Sequence, residues 1–115
     1  MPFDGRRPGQ AAFVMAAAFD LGVAPGGLEA AERRYRDNHV ALARRLPGLR
    51  HYVIGKPPHG DSGDPPRDRL AVLAFDTLDT LREVYRSPLG RELREDERAT
   101  ITNARVFWLD ARVEV

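Results

Sequence analysis

The chain has 115 residues, of which 43% are hydrophobic and 30% charged, and its formal net charge is +1. These values are typical of one soluble globular domain. Because acidic and basic residues nearly balance, they argue against a general nucleic-acid or membrane-surface role. The absence of cysteine excludes disulfides, thiol catalysis and cysteine-ligated metal sites. We expect a cytoplasmic protein, and no segment is long enough to span a bilayer.

The N-terminal half predicts an arm, a strand, a helix and a second strand. Residues 1–10 are polar and rich in proline and glycine, which predicts a flexible arm ahead of one domain over residues 11–115. Residues 11–20 are apolar without alternation, as in a strand covered on both faces. Residues 28–46 predict a helix, because apolar side chains return every three or four residues. Residues 49–56 are rich in strand-forming types.

The C-terminal half predicts a loop, two strands and two helices. Residues 57–68 are rich in proline and glycine and predict a long mobile loop. A third strand over 70–76 ends where Asp76 or Thr77 can cap a helix. Ser87 and Pro88 open a further short helix. Residues 104–115 alternate between apolar and polar and predict a fourth strand.

The element order β-α-β-β-α(α)-β predicts a ferredoxin-like split βαβ fold of the α+β class. In this fold a four-stranded antiparallel sheet carries its helices on one face. The predicted strands are apolar on both faces, so a monomer would expose a large apolar surface, which soluble monomers rarely do. We therefore expect a homodimer in which sheet packs on sheet.

Two segments resemble a known family. The pattern Y-x-x-x-H-x-x-L-A-R-x-L-P-G-L-x-x-Y, from Tyr35 to Tyr52, resembles the signature of the EthD family, and residues 75–97 resemble its second half. The resemblance implies a dimeric α+β barrel with a small-molecule pocket between sheet and helices in each subunit. The family and its relatives include proteins of ether degradation, polyketide cyclases, dehydratases and cofactor-independent oxygenases. The loop at 57–68 departs from the family pattern.

His39 is the candidate acid/base residue, because it places an ionisable ring on the apolar face of the first predicted helix. An unpaired buried ring would cost roughly 1–3 kcal/mol, so it needs a partner, a water or a ligand. It is either a neutral core histidine or a general acid/base at a pocket wall, where a pKa near neutrality suits proton transfer. Tyr35, one turn earlier, is either a core residue or a helper that orients the ring or donates to a substrate carbonyl.

A set of large apolar and aromatic side chains forms the expected lining of a cavity. His51 and Tyr52 point to opposite faces of the second strand, and the sequence does not decide which one faces the pocket. We expect no cofactor and no metal, since His59, Asp61 and Asp64 lie together only in the predicted loop. The expected substrate-binding residues are Phe13, Met15, Leu42, Tyr52, Tyr85, Phe107 and Trp108.

Three functions remain open at this stage. The first is an enzyme, a cyclase, dehydratase or isomerase, that uses His39 for acid/base chemistry on an apolar carbonyl-bearing or aromatic metabolite. The second is an EthD-type oxidoreductase or cofactor-independent monooxygenase, and the third is a non-catalytic binding or accessory protein of a catabolic pathway. An RNA-binding domain of the same topology is disfavoured, because the third strand lacks basic residues interleaved with aromatics.

Overall fold

A computed structural model describes residues 11–22, 25–56, 67–112 and 114. The predicted arm over 1–10 and most of the predicted loop lie outside the described residues. The elements are β1 (Ala11–Leu21), α1 (Gly27–Arg34), a π-helical segment (Tyr35–Val40), α2 (Ala41–Ala43), β2 (His51–Gly55), β3 (Arg69–Phe75), α3 (Leu78–Arg86), α4 (Pro88–Thr100) and β4 (Ile101–Arg112).

The four strands form one antiparallel sheet in the order β2-β3-β1-β4. The two central strands, β1 and β3, pair with Phe13 opposite Phe75, and Met15 of β1 lies opposite Trp108 of the edge strand β4. This strand order and the helices between the strands confirm the predicted ferredoxin-like α+β fold.

The sheet has one face under the helices and one far face, which we define as the surface opposite them. The core under the helices contains Phe19, Phe75, Leu81 and Leu93, which are almost fully buried. On the far face Ala12, Val14 and Ala74 form a second, smaller cluster. Around that cluster, the far face exposes four larger apolar side chains, namely Val53, Leu70, Phe107 and Leu109.

A π-helical segment interrupts the first helix, which we define as residues 27–43. The buried residues Ala31, Tyr35, His39 and Ala43 are spaced by four. In a uniform α-helix each such step turns about 40° past the previous one, so the set would drift off the core. The wider turn over Tyr35–Val40 offsets this drift and keeps these side chains on the sheet side.

Side-chain caps fix the starts of the two later helices, as the sequence predicts. The Thr77 hydroxyl accepts from the Thr80 backbone N–H at 3.1 Å, and the Ser87 hydroxyl accepts from Gly90 N–H at 3.1 Å, with Pro88 in the first turn. None of the helices in the described ranges is long and apolar enough to cross a bilayer.

We expect Gly90→Ala to lower the free energy of unfolding by about 1–3 kcal/mol. A Cβ at this position would overlap the Val84 carbonyl oxygen and lie 2.6 Å from Tyr85 Cα, so the backbone at the α3–α4 corner would have to move. Urea denaturation measures the effect. Gly55→Ala is the matched control, because its Cβ would meet nothing within 4 Å, and equal losses in both variants would contradict the prediction.

Candidate functional site

A cavity of about 490 Å³ lies between the sheet and the helices. Its size falls in the range of small-molecule sites, roughly 300–1,000 Å³. Three alanines, Ala17, Ala71 and Ala104, contribute to the sheet side of its wall, where larger side chains would fill the space. Val106 and Trp108 of β4 are about half exposed, at 51% and 49%, so the cavity is accessible along this edge strand.

His39 forms part of the cavity wall and is 7% exposed. Its Nδ1 lies 3.1 Å from Oδ2 of Asp96 on α4. A carboxylate can only accept, so the hydrogen bond assigns the ring proton to Nδ1 and leaves Nε2 with its lone pair. No residue in the described part of the chain bonds to Nε2, which is therefore available to a molecule in the cavity.

Asp96 is held by two further donors, so the acceptor beside His39 has a fixed position. Its Oδ1 accepts from the Arg34 guanidinium at 3.3 Å, and its Oδ2 accepts from the Thr100 hydroxyl at 3.3 Å. Arg34 Nε also donates to the Thr100 oxygen at 3.2 Å. The Asp96 side chain is only 9% exposed. This arrangement orients the imidazole and stabilises the positive charge that a proton on Nε2 would create.

Burial lowers the pKa of His39, while the hydrogen bond and the charge of Asp96 act in the opposite direction. The net shift is downward, so the ring is a neutral base at neutral pH. A base with a pKa slightly below the working pH is suited to proton abstraction.

Tyr35 lies behind the His39 ring, away from the cavity surface. The two rings are stacked with centroids 5.8 Å apart, and Tyr35 packs edge-on against Phe19 at 5.7 Å. Its hydroxyl is buried and has no hydrogen-bond partner among the described residues. Burial raises the pKa of Tyr35, so the phenol is neutral. Tyr35 thus packs on the imidazole without a hydrogen bond to it, and its role as a helper of His39 stays a prediction.

The structure brings four of the predicted lining residues together around the cavity, namely Met15, Tyr52, Tyr85 and Trp108. Phe13 lies beside the cavity and contacts Trp108 edge-on, with centroids 6.1 Å apart. The sequence left open whether His51 or Tyr52 faces the pocket. The register settles this point, because Tyr52 pairs with Leu73 on the helix side and His51 pairs with Ala74 on the far face.

Two predicted lining residues lie elsewhere. Phe107 pairs with Ala16 and is 61% exposed on the far face, because the alternation of β4 turns its neighbour Trp108 toward the cavity instead. Leu42 borders a separate groove between the first helix and α4. The π-helical segment shifts the buried position of the next turn from Leu42 to Ala43, and Ala43 lines the cavity.

Sequence reasoning missed the polar side chains of α4 that face His39 or the cavity. Arg94, Glu97 and Arg98 contribute to the cavity wall, and Asp96 bonds to His39. A usable signal exists, because Glu97 lies four residues after the buried Leu93 and so shares its face of the helix. This is the same anomaly, an ionisable group on an apolar face, that singled out His39.

The described residues contain no group of three or more histidine, aspartate or glutamate side chains arranged to hold a metal ion. The loop residues His59, Asp61 and Asp64 lie outside the described ranges.

Comparison with known families identifies most of the chain. The model of the EthD domain matches residues 27–103, a range that contains His39, Asp96 and Glu97. A search of curated proteins found no match.

Several solved structures share the fold at low sequence identity. An EthD-family protein from Bacillus halodurans C-125 aligns with a TM-score of 0.64 and 18% identity over 84% of this chain and 96% of its own. A dimeric ferredoxin-like protein of unknown function from Thermobifida fusca aligns with a TM-score of 0.63 and 17% identity over 88% of this chain and 92% of its own. SnoaB, a cofactor-independent oxygenase from Streptomyces nogalater, aligns with a TM-score of 0.56 and 18% identity over 90% of this chain and 94% of its own. At these identities the likeness establishes the fold.

We expect His39 to make the protein less stable in weak acid. Because the folded-state pKa lies below the ordinary value of 6.5, the unfolded chain binds this proton first as the pH falls. The stabilising contribution is complete above pH 6.5 and is lost as the pH falls through the folded pKa, by at most about 1.4 kcal/mol per pH unit. His39→Asn removes this dependence.

Urea denaturation of both proteins between about pH 5 and 7 measures the effect, since other titrating groups contribute to both curves. If the free energy of unfolding changed with pH in the same way in the wild type and in His39→Asn, the assignment of a neutral, buried ring would be contradicted.

Proposed function

The chain belongs to the EthD family, and we propose that it is an enzyme that performs acid/base chemistry on a small apolar carbonyl-bearing or aromatic metabolite. The observation that carries this proposal is the Nδ1 hydrogen bond of His39 to Asp96, 3.1 Å long, at the wall of a largely apolar cavity. Cyclase, dehydratase and isomerase reactions share the first step that such a site supports. The cytoplasmic location expected from the sequence stays a prediction.

In the proposed reaction His39 Nε2 removes a proton from a carbon next to the substrate carbonyl. The imidazolium that forms keeps its Nδ1–H bond to Asp96, which Arg34 and Thr100 hold in place. The largely apolar walls lower the local dielectric constant, which strengthens these electrostatic interactions. The neutral phenols of Tyr52 and Tyr85, whose pKa values are raised chiefly by burial, are available as donors to the carbonyl oxygen.

Cofactor-independent oxygenation is a second candidate for the same cavity. Tyr52, Tyr85 and Trp108 give the wall an aromatic character that suits a flat phenolic substrate. Deprotonation of such a phenol by His39 would yield an electron-rich anion that reacts with oxygen. SnoaB, with the same fold, is described as a cofactor-independent oxygenase. Oxygen uptake that accompanies turnover of a phenolic compound would favour this candidate, and turnover without uptake favours the first.

We expect His39→Ala to lower the rate of carbon deprotonation by about 100-fold or more, the usual contribution of a general base. Nitrobenzisoxazole is a suitable probe, because removal of one carbon-bound proton opens its ring to a coloured phenolate without help from an acid. The rate should rise with pH and level off above a midpoint below 6.5, since the pKa of His39 is lowered. Absorbance measurements of kcat/KM test both statements.

The matched control is His51→Ala, because His51 lies on the far face of the sheet. Asp96→Asn should reduce the rate less than His39→Ala, since the base remains while its orientation is lost. Equal rates for His39→Ala and the wild type would contradict the proposal. Binding of the probe without turnover would favour the alternative of a non-catalytic binding or accessory protein.

We further propose that two copies of the chain associate through the far face of the sheet. Phe107, Leu109 and Leu70 are 61%, 50% and 47% exposed there, around the small residues of the second cluster. Exposed apolar surface of this kind is uncommon on monomers and typical of interfaces. The structurally similar protein from Thermobifida fusca is described as dimeric.

We expect Phe107→Asp to weaken self-association by at least about 100-fold, because each copy would bury an unpaired carboxylate at the interface. Sedimentation equilibrium over a range of concentrations measures the dissociation constant. Leu28→Asp is the matched control, since Leu28 is 71% exposed on the first helix, away from the sheet. An unchanged association constant for Phe107→Asp would contradict a sheet-to-sheet dimer.

A further inference from the structure

Glu97 is an ionisable residue in the cavity wall that the hydrogen bonds around His39 do not use. It lies on α4, next to Asp96 in sequence and four residues after Leu93, which is 1% exposed. The side chain is partly buried, and it borders the same cavity as His39. Asp96 of α4 thus bonds to His39, and the next residue, Glu97, lies in the cavity wall.

Glu97 has no salt bridge or hydrogen bond to any described residue, although two arginines flank it on α4. Arg94 instead lies over the Tyr85 ring, 5.5 Å from its centroid, and Arg98 forms no ion pair within the described part of the chain. Its carboxyl group therefore borders the open space of the cavity without a protein partner among the described residues, where a molecule in the cavity can contact it.

The surroundings of Glu97 raise its pKa above that of an ordinary glutamate. Burial raises the pKa of Glu97 and the neighbouring Asp96 adds to the increase, while Arg94 and Arg98 oppose it. The titratable groups that line the same cavity from other elements are His39 and the neutral phenols of Tyr52 on β2 and Tyr85 on α3. Glu97 therefore retains its proton to a higher pH than an ordinary glutamate, as a proton donor requires.

We infer that Glu97 is the general acid of this site, and that the substrates are β-hydroxy carbonyl compounds from which the enzyme removes water. The inference depends on the proposed function, because His39 must first take the proton from the carbon between the carbonyl and the hydroxyl-bearing carbon. The electrons of that C–H bond form the C=C bond, and the C–O bond breaks. Glu97 gives its proton to the departing oxygen, which leaves as water.

The step is balanced without an oxidant or reductant. The products are an α,β-unsaturated carbonyl compound, one water, an imidazolium at His39 and a carboxylate at Glu97. Asp96 stabilises the first charge, and Arg94 and Arg98 are near enough to stabilise the second. Proton exchange with solvent along the open edge at β4 then restores both groups.

The test compares two probes that share the base and differ in the leaving group. Nitrobenzisoxazole releases a stabilised phenolate and needs no acid, whereas the aldol adduct of acetone and benzaldehyde must release a hydroxyl group and needs one. We expect Glu97→Gln to lower kcat/KM for the aldol adduct by about 100-fold or more, with less than about a threefold effect on nitrobenzisoxazole. Glu95→Gln, an exposed glutamate on the same helix, should change neither.

The pH profile gives a readout that a structural role would not move. Dehydration should rise with pH as His39 loses its proton and fall again as Glu97 loses its own, so Glu97→Gln should remove the falling limb. If added acetic acid partly restored the dehydration rate of Glu97→Ala, this would show directly that the variant lacks a proton donor. Circular dichroism confirms that each variant folds.

The possible outcomes separate this inference from the proposed function. Equal losses on both probes, or no loss on the aldol adduct, would overturn the role of Glu97. His39-dependent turnover of nitrobenzisoxazole without any dehydration of the aldol adduct would also overturn it, while leaving the proposed base intact. Failure of the wild type to turn over either probe would overturn the proposed function and this inference with it.

Discussion

The hydrogen bond between His39 and Asp96 is the interaction on which the rest of the site depends. It joins the first helix to α4, and without it the buried His39 ring would lose its hydrogen-bond partner, which typically costs about 1–3 kcal/mol. Together with the Arg34 hydrogen bond to Asp96, the contact holds this side of α4 against the first helix. Glu97, the next residue along α4, borders the cavity. The proposed base and the proposed acid therefore lie on two helices that this contact joins.

The cavity exists because the sheet beneath the helices carries small side chains. Ala17 on β1 and Ala71 on β3 lie where a leucine or phenylalanine would fill the space, and Ala43 does the same on the first helix. Large residues seal the rest of the layer, as Phe19 and Phe75 show. A small-molecule site requires unfilled space beside an otherwise tightly packed core. Composition alone does not reveal this space, since alanine is equally compatible with a filled core.

The sequence predicted the fold better than the site. Apolar periodicity, the Thr77 and Ser87 caps and the alternation of β4 are local signals, and they were sufficient for the element order and the ferredoxin-like topology. Leu42 was misplaced because its position depends on the π-helical segment, which a 3.6-residue period does not anticipate. Phe107 was misplaced because alternation fixes which residues share a face without saying which face meets the helices. Asp96 was missed because its role depends on a contact across 57 positions of sequence.

Burial shifts the pKa values of His39 and Glu97, both in the cavity wall, in opposite directions, which suits one group to accept a proton and the other to donate one. Removal from water disfavours the charged form of any group, so burial lowers the pKa of His39 and raises that of Glu97. His39 is therefore a neutral base at neutral pH, and Glu97 keeps its proton to a higher pH than an ordinary glutamate. The proposed reaction creates a positive charge on His39 and a negative charge on Glu97, and Asp96 and the arginines of α4 are near enough to stabilise them. The apolar walls of the cavity thus shift both pKa values in the direction that the proposed proton transfers need.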